Sequence, residues 1–365
     1  MTALDLLRRR EFNKALLGML ATSLLCKSGL AAQERPSECE THEQPAPWEE
    51  FGINIVGPAL GQTTRGTYGK DYIYPDESSL AYYRSKRFRT VSVTFLWERL
   101  QPRLFSPLAA EELKHLQDLV TMVRNQGMVL ITGPHNYARY AVEDGKPELI
   151  GSPAVPTAAF VDLWRRLADV FAPVQDGLIF SLMNEPHDTG GTWSPIAQAA
   201  VDAIRQRDSQ RWIYVPGDGW SSARSWHQNN ESLTIADPSD RIVYVAHQYF
   251  DASGQGTYKN KYDDDGAYPE IGVDRLMPFL TWLGKRGFRG TVTEYGVPND
   301  DPRWLVVLDN ALAALRQAKV GGAYWAGGPW WGDYPLSSEP RAGRDAPVMA
   351  VLTKYAAQCS MSRPD

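Results

Sequence analysis

The chain has 365 residues, 43% of them hydrophobic, which suits one α/β barrel or two smaller domains and excludes a disordered or fibrous protein. Its net charge is −5, and such a balance argues against nucleic acid or an anionic membrane surface as partner, because both reward clustered Lys and Arg. A neutral partner is expected.

The N-terminus opens on Arg8, Arg9 and Arg10, followed by Glu11, Phe12, Asn13 and Lys14, and then by a stretch free of charge from Ala15 to Cys26. That stretch is too short to span a bilayer, which takes about 20 apolar residues. With the small residues Gly29, Ala31 and Ala32 behind it, the pattern reads as a cleavable export signal over residues 1–32, and Arg9 to Lys14 resembles a twin-arginine signal. The expected location is therefore periplasmic or secreted, in a bacterium. Residues 1–32 carry five basic and two acidic side chains, so their removal takes the net charge from −5 to −8. Cys26 leaves with the signal. Cys39 and Cys359 then stand near opposite ends of the mature chain, equally open to pairing and to remaining free thiols. Residues 33–48, rich in Glu, Pro and Gln, read as a tail, and 49–360 as a single catalytic domain expected to act as a monomer.

Eight short apolar runs follow as candidate strands: Phe51 to Gly57, Arg87 to Phe95, Met128 to Thr132, Gly177 to Met183, Trp212 to Pro216, Ile242 to His247, Gly290 to Glu294 and Gly321 to Trp325. Amphipathic helices lie between them. Leu113, Leu116, Val120 and Val123 share one face after a Ser106-Pro107 start; Phe160, Leu163, Leu167 and Val170 share another, with Thr157 as the expected cap. Asp301-Pro302 opens a third, ahead of Trp304, Leu308, Leu312 and Leu315. Apolar strands alternating with amphipathic helices predict a (β/α)8 TIM barrel. The rival, an open doubly wound sheet, lacks its Gly-x-Gly-x-x-Gly turn.

In such a barrel the chemistry sits where the strands end. The fourth run stops on Asn184-Glu185-Pro186, and the seventh on Glu294. Two carboxyls facing each other across the mouth form the apparatus that cleaves a glycosidic bond, one protonating the leaving oxygen and the other meeting the oxocarbenium-like centre. His135, Asn136 and Tyr137 follow the third run, His247 and Tyr249 the sixth, and Trp325, Trp330 and Trp331 the eighth. Trp97, Trp220 and Trp226 also lie near strand ends, and such aromatic planes suit the C–H faces of sugar rings. His42, His115 and His227 read as ordinary core or surface residues. Zinc and serine hydrolases lack their motifs here, and Asp263 to Asp265 read as a solvated loop rather than a calcium site. No metal and no cofactor are expected.

From "GINIVGPALG" through "TYG", "FLWERLQP", "HNYARY", "MNEPHD", "HQYFD" and "TEYG" to "YWAGGPWWGDYPLSSEP", the chain resembles glycoside hydrolase family 5, in its subgroup of endo-β-1,4-glucanases. The resemblance implies a retaining enzyme with Glu185 as acid/base and Glu294 as nucleophile. It further implies that Asn184 bonds the sugar 2-hydroxyl, that His135, Asn136, His247 and Tyr249 surround the reacting sugar, and that Trp325 stacks beneath it. The implied substrate is a cellulose-like or exopolysaccharide β-glucan. Mannan, mixed-linkage glucan or a branched exopolysaccharide remain open, as does a weakened carbohydrate-binding relative. Two departures stand out: Ser92 occupies the position of a family arginine that bonds the nucleophile, with Thr94 in place of a proline, and Ala59 replaces an acidic residue of the first loop. Arg89 is a poor substitute for that arginine, since a strand sends residues 89 and 92 to opposite faces.

Overall fold

The structure is a computed structural model, and it describes residues 46–61, 65–142 and 145–356. The expected export signal, the tail as far as residue 45, His42, and both Cys39 and Cys359 lie outside these residues.

Ten strands follow in chain order: β1 (Phe51–Ile55), β2 (Thr90–Ser92), β3 (Val129–Thr132), β4 (Arg139–Ala141), β5 (Pro147–Leu149), β6 (Leu178–Ser181), β7 (Ile213–Pro216), β8 (Ile242–His247), β9 (Gly290–Tyr295) and β10 (Gly321–Gly327). Eight of them close a parallel barrel in the order β1-β10-β9-β8-β7-β6-β3-β2, with Phe51 of β1 in register with Gly322 of β10 at the seam. All eight expected strands are present, although the second is only three residues long. The antiparallel pair β4 and β5 was not expected, since three-residue strands carry too little alternation to be read.

Alternate residues along the strands go to two different cores, which is why the runs look apolar throughout. Ile131, Ile179, Tyr214, Val243 and Val245 form a separate cluster, while their neighbours Leu130, Phe180, Ile213, Val215, Tyr244 and Ala246 join the main core with the helices. Trp164, Trp193, Trp282 and Trp304 are fully buried in that outer layer. So are Trp97 and Trp226, which leaves fewer of the aromatic residues near strand ends to face a ligand.

Two helix starts also differ from expectation. The helix Ala110–Asn125 begins at Ala109 rather than Ser106, whose hydroxyl instead bonds the Arg103 and Pro107 carbonyls. Thr157 is the first residue of the helix Thr157–Phe171 and not its cap. Asp301 does cap Pro302–Gln317, accepting from the Arg303 amide. In the Asp263 to Asp265 loop, Asp263 and Asp264 are exposed as expected, Asp263 pairing with Arg303 at 2.8 Å, whereas Asp265 is buried.

Candidate active site

The site is built from strand ends, and the backbone there is held in unusual conformations. β6 stops at Ser181, and the chain reaches Glu185 in the left-handed region with φ 45°. Tyr137, Ala138, Trp220 and Ser221 are also left-handed, at φ 53° to 62°. Such conformations cost a non-glycine residue roughly 1–2 kcal/mol each, so they persist where the surrounding fold over-determines them, as ligand sites do. At the mouth they surround a cavity of about 1180 Å³ lined by Tyr137, Glu185, Trp220, His247, Glu294 and Trp325, among others.

Glu185 and Glu294 converge on His247. Its Nδ1 lies 2.8 Å from Oε1 of Glu185, a hydrogen bond, and 3.5 Å from Oε2 of Glu294. One donor atom from each of the three residues lies within 4.8 Å of the other two. The Nε2 of His247 meets the Thr293 hydroxyl at 3.1 Å, and the Tyr249 hydroxyl donates to Oε1 of Glu294 at 2.8 Å. Thr293 reaches His247 because the pairing of β8 with β9 shifts register between Ala246 and His247.

Burial raises both carboxyls above their ordinary range. Glu185 is pushed up to about 8 by desolvation alone. Glu294 is pushed up to about 7, first by desolvation and then by the charge of Glu185, against smaller opposing effects of His247 and the Tyr249 hydrogen bond. Among the described residues no guanidinium or ammonium figures in that balance. Ser92 is buried at the end of β2, in register with Asn54 and Ile131, and Arg89 exerts its charge on Glu50, which precedes β1 at the opposite end of the barrel. Ala59 is buried.

His135 is buried and held down to about 3 by desolvation and by His247, so its ring is neutral. Its Nδ1 meets the Thr94 hydroxyl at 2.9 Å, and its Nε2 meets Asn184 and the Tyr137 hydroxyl at 3.1 Å each. Asn184 is thus brought to the site, one layer behind the cavity lining. Asn136 is not. Its side chain donates to both oxygens of Glu98 and accepts from the Trp97 amide, which commits it to the loop rather than to a ligand. This corrects its expected place around the sugar.

Trp325 is half-buried in the cavity wall, its indole donating to the Tyr334 hydroxyl at 3.1 Å, and the Trp325–Ala326 peptide is cis. Across the cavity Trp220 is 48% exposed and stacks on His187 with centroids 3.6 Å apart and planes 7° apart. Sequence reasoning did not single out Tyr334, Thr293 or His187. Tyr334 carried no signal, whereas Thr293 and His187 flank the two acids within two residues. His115 stacks on Tyr68 and His227 pairs with Glu231, in keeping with their expected ordinary roles.

The family model described as cellulase (glycosyl hydrolase family 5) matches residues 41–332. Endo-beta-1,4-glucanase B of Emericella nidulans is 32% identical over 80% of this chain and 87% of its own length; the endo-beta-1,4-glucanase B of Aspergillus niger is 32% identical over 88% and 95%. Among solved structures, Pseudomonas stutzeri endoglucanase Cel5A in complex with cellobiose is similar at 41% identity and a TM-score of 0.80, covering 86% of this chain and 94% of that one. The endo-beta-1,4-glucanase Xac0029 of Xanthomonas axonopodis pv. citri follows at 36% and 0.78, covering 84% and 98%. A barrel carrying two converging glutamates at its mouth, matched by that family model over most of its length, belongs to the cellulase family, glycosyl hydrolase family 5.

Proposed function

We propose that this chain is a retaining endo-β-1,4-glucanase in which Glu185 is the general acid/base and Glu294 the nucleophile. The observation that supports it most is the separation of the two acids. Donor atoms within 4.8 Å fit the roughly 5–5.5 Å of retaining enzymes, whereas an inverting enzyme leaves about 6.5–9.5 Å for a water. Protonated Glu185 gives its hydrogen to the glycosidic oxygen while ionised Glu294 attacks the anomeric carbon; the bond to the leaving chain breaks, and a glycosyl ester forms. Glu185, now ionised, takes a proton from water, which displaces Glu294 and restores both groups. Burial keeps Glu185 protonated at neutral pH. The Tyr249 hydroxyl favours the ionised form of Glu294 and aims it.

Trp325 supplies a plane for one sugar, and Trp220 for another further along the cavity. Both support a chain-like neutral polymer, and similarity to endo-beta-1,4-glucanases supports a β-1,4-glucan. The chain is proposed to work as a monomer after export, on the strength of the pattern from Arg8 to Ala32. No helix among the described residues is long and apolar enough to cross a membrane.

The test compares carboxymethyl-cellulose, mannan and mixed-linkage glucan, with Glu294→Ala beside the wild type. Reducing ends are expected fastest from the cellulosic polymer and lost by orders of magnitude in the variant, and the β-anomer is expected to form first from cellopentaose. Equal release in both samples removes Glu294 from its role, and release in neither favours a carbohydrate-binding relative.

A further inference from the structure

We propose that Glu185, His247 and Glu294 also form a binding site for a divalent transition cation of the zinc type, and that occupancy of this site blocks the cleft. The three residues offer one donor atom each within 4.8 Å of one another. Zinc–ligand bonds of about 2.0–2.2 Å in a tetrahedron put ligand atoms roughly 3.3–3.6 Å apart. The His247 Nδ1 already stands 2.8 Å from one carboxylate oxygen and 3.5 Å from the other, so small rotations of two glutamate side chains complete the set.

A second observation points to a ligand at this place. Oε2 of Glu294, on a side chain more than nine-tenths buried, has no hydrogen-bond partner among the described residues and is the oxygen turned toward Nδ1 of His247. A buried oxygen left unpaired is costly, and a cation at the centre of the triangle would satisfy it. The supporting groups are those that orient metal ligands: Thr293 on the other nitrogen of His247, and Tyr249 on the other oxygen of Glu294.

The imidazole selects zinc, copper or nickel over magnesium and calcium, which prefer oxygen alone. The cavity side leaves room for water as a fourth ligand. Among the described residues, the other histidine–carboxylate pairs, His187 with Asp188 and His227 with Glu231, gather no third ligand. A cation held by both acids takes the oxygens that the sugar and its leaving group need. That consequence rests on the hydrolytic reading, whereas binding itself does not.

The test titrates chelator-stripped protein with zinc chloride against a chromophoric zinc indicator, without substrate. Zinc is expected to bind one per chain at this site, with affinity roughly tenfold or more weaker in Glu294→Gln and His247→Ala and unchanged in His227→Ala. Zinc should raise the unfolding temperature of the wild type and not of Glu294→Gln, an isosteric change that controls for folding of the alanine variant. Wild-type affinity in Glu294→Gln, or loss of binding in His227→Ala, overturns the site. With cellopentaose, a neutral substrate, inhibition should be competitive and reversed by chelator; inhibition that raises no KM overturns the blockade. If stripped enzyme fails to cleave cellopentaose while zinc still binds, the hydrolytic reading fails and the metal site stands.

Discussion

Tyr249 donates its hydroxyl hydrogen to Oε1 of Glu294 across 2.8 Å, while the other oxygen of that carboxylate has no hydrogen-bond partner among the described residues. In the proposed mechanism this one neutral donor orients the nucleophile, the duty for which the family resemblance implies an arginine. Tyr249→Phe should therefore lower kcat/KM about 10–100-fold, the worth of a hydrogen bond to a charged group at roughly 1.5–3 kcal/mol. It should also move the acid limb of the pH profile upward, because the hydrogen bond favours the ionised form. A purely structural role for Tyr249 would leave that limb in place.

The pH dependence follows from the two raised carboxyls. The proposed roles require Glu294 ionised and Glu185 protonated, so kcat/KM should follow a narrow bell with limbs near about 7 and 8 that belong to the pair. Stability should run the other way from an ordinary carboxylate. Both groups hold protons in the folded chain at pH values where the unfolded chain has lost them, above about 4.5. Their contribution to stability is thus full below that value and is lost as pH rises through 7 and 8. Denaturant midpoints should decline from about pH 6.5 to 8.5, above the range in which the neutral His135 and His247 add an opposing rise, and Glu185→Gln should flatten the decline.

Ser92→Arg tests the vacant cation position. Asn54 stands opposite Ser92 in register, and its buried Oδ1 has no partner among the described residues, which offers a guanidinium an acceptor beside β9. The acid limb should drop by about one pH unit or more as the charge favours ionised Glu294. An unmoved limb in a folded variant shows that residue 92 does not address the carboxylate.

Trp220→Ala should raise KM for long cello-oligosaccharides about 3–10-fold, the value of one aromatic stack, with little change in kcat. The platform is exposed and backed by His187, so no core contact is lost. Equal KM on a pentasaccharide would remove Trp220 from the binding surface.

Arg211→Met probes the scaffold. The buried guanidinium donates to the carbonyls of Leu178, Phe171 and Val174 and pairs with Asp208 at 2.8 Å, joining β6 to the end of the preceding helix. Its loss leaves buried acceptors unpaired and should cost about 3–5 kcal/mol in denaturant unfolding. A cost below about 1 kcal/mol would show that the carbonyls find other donors.

Much of this was written locally. Apolar runs of strand length alternating with amphipathic helices specify a closed parallel barrel, because both faces of each strand must be covered, and the stops at Glu185 and Glu294 mark the mouth. What local pattern cannot encode is distance between residues far apart in the chain. That two carboxyls 109 positions apart meet on one imidazole, that Asn136 turns to Glu98, and that Trp97 and Trp226 enter the core while Trp220 stays exposed were decided by closure of the barrel and by the register shift that turns His247. The raised carboxyls belong to the same level, since desolvation is a property of the assembled cavity and not of any segment.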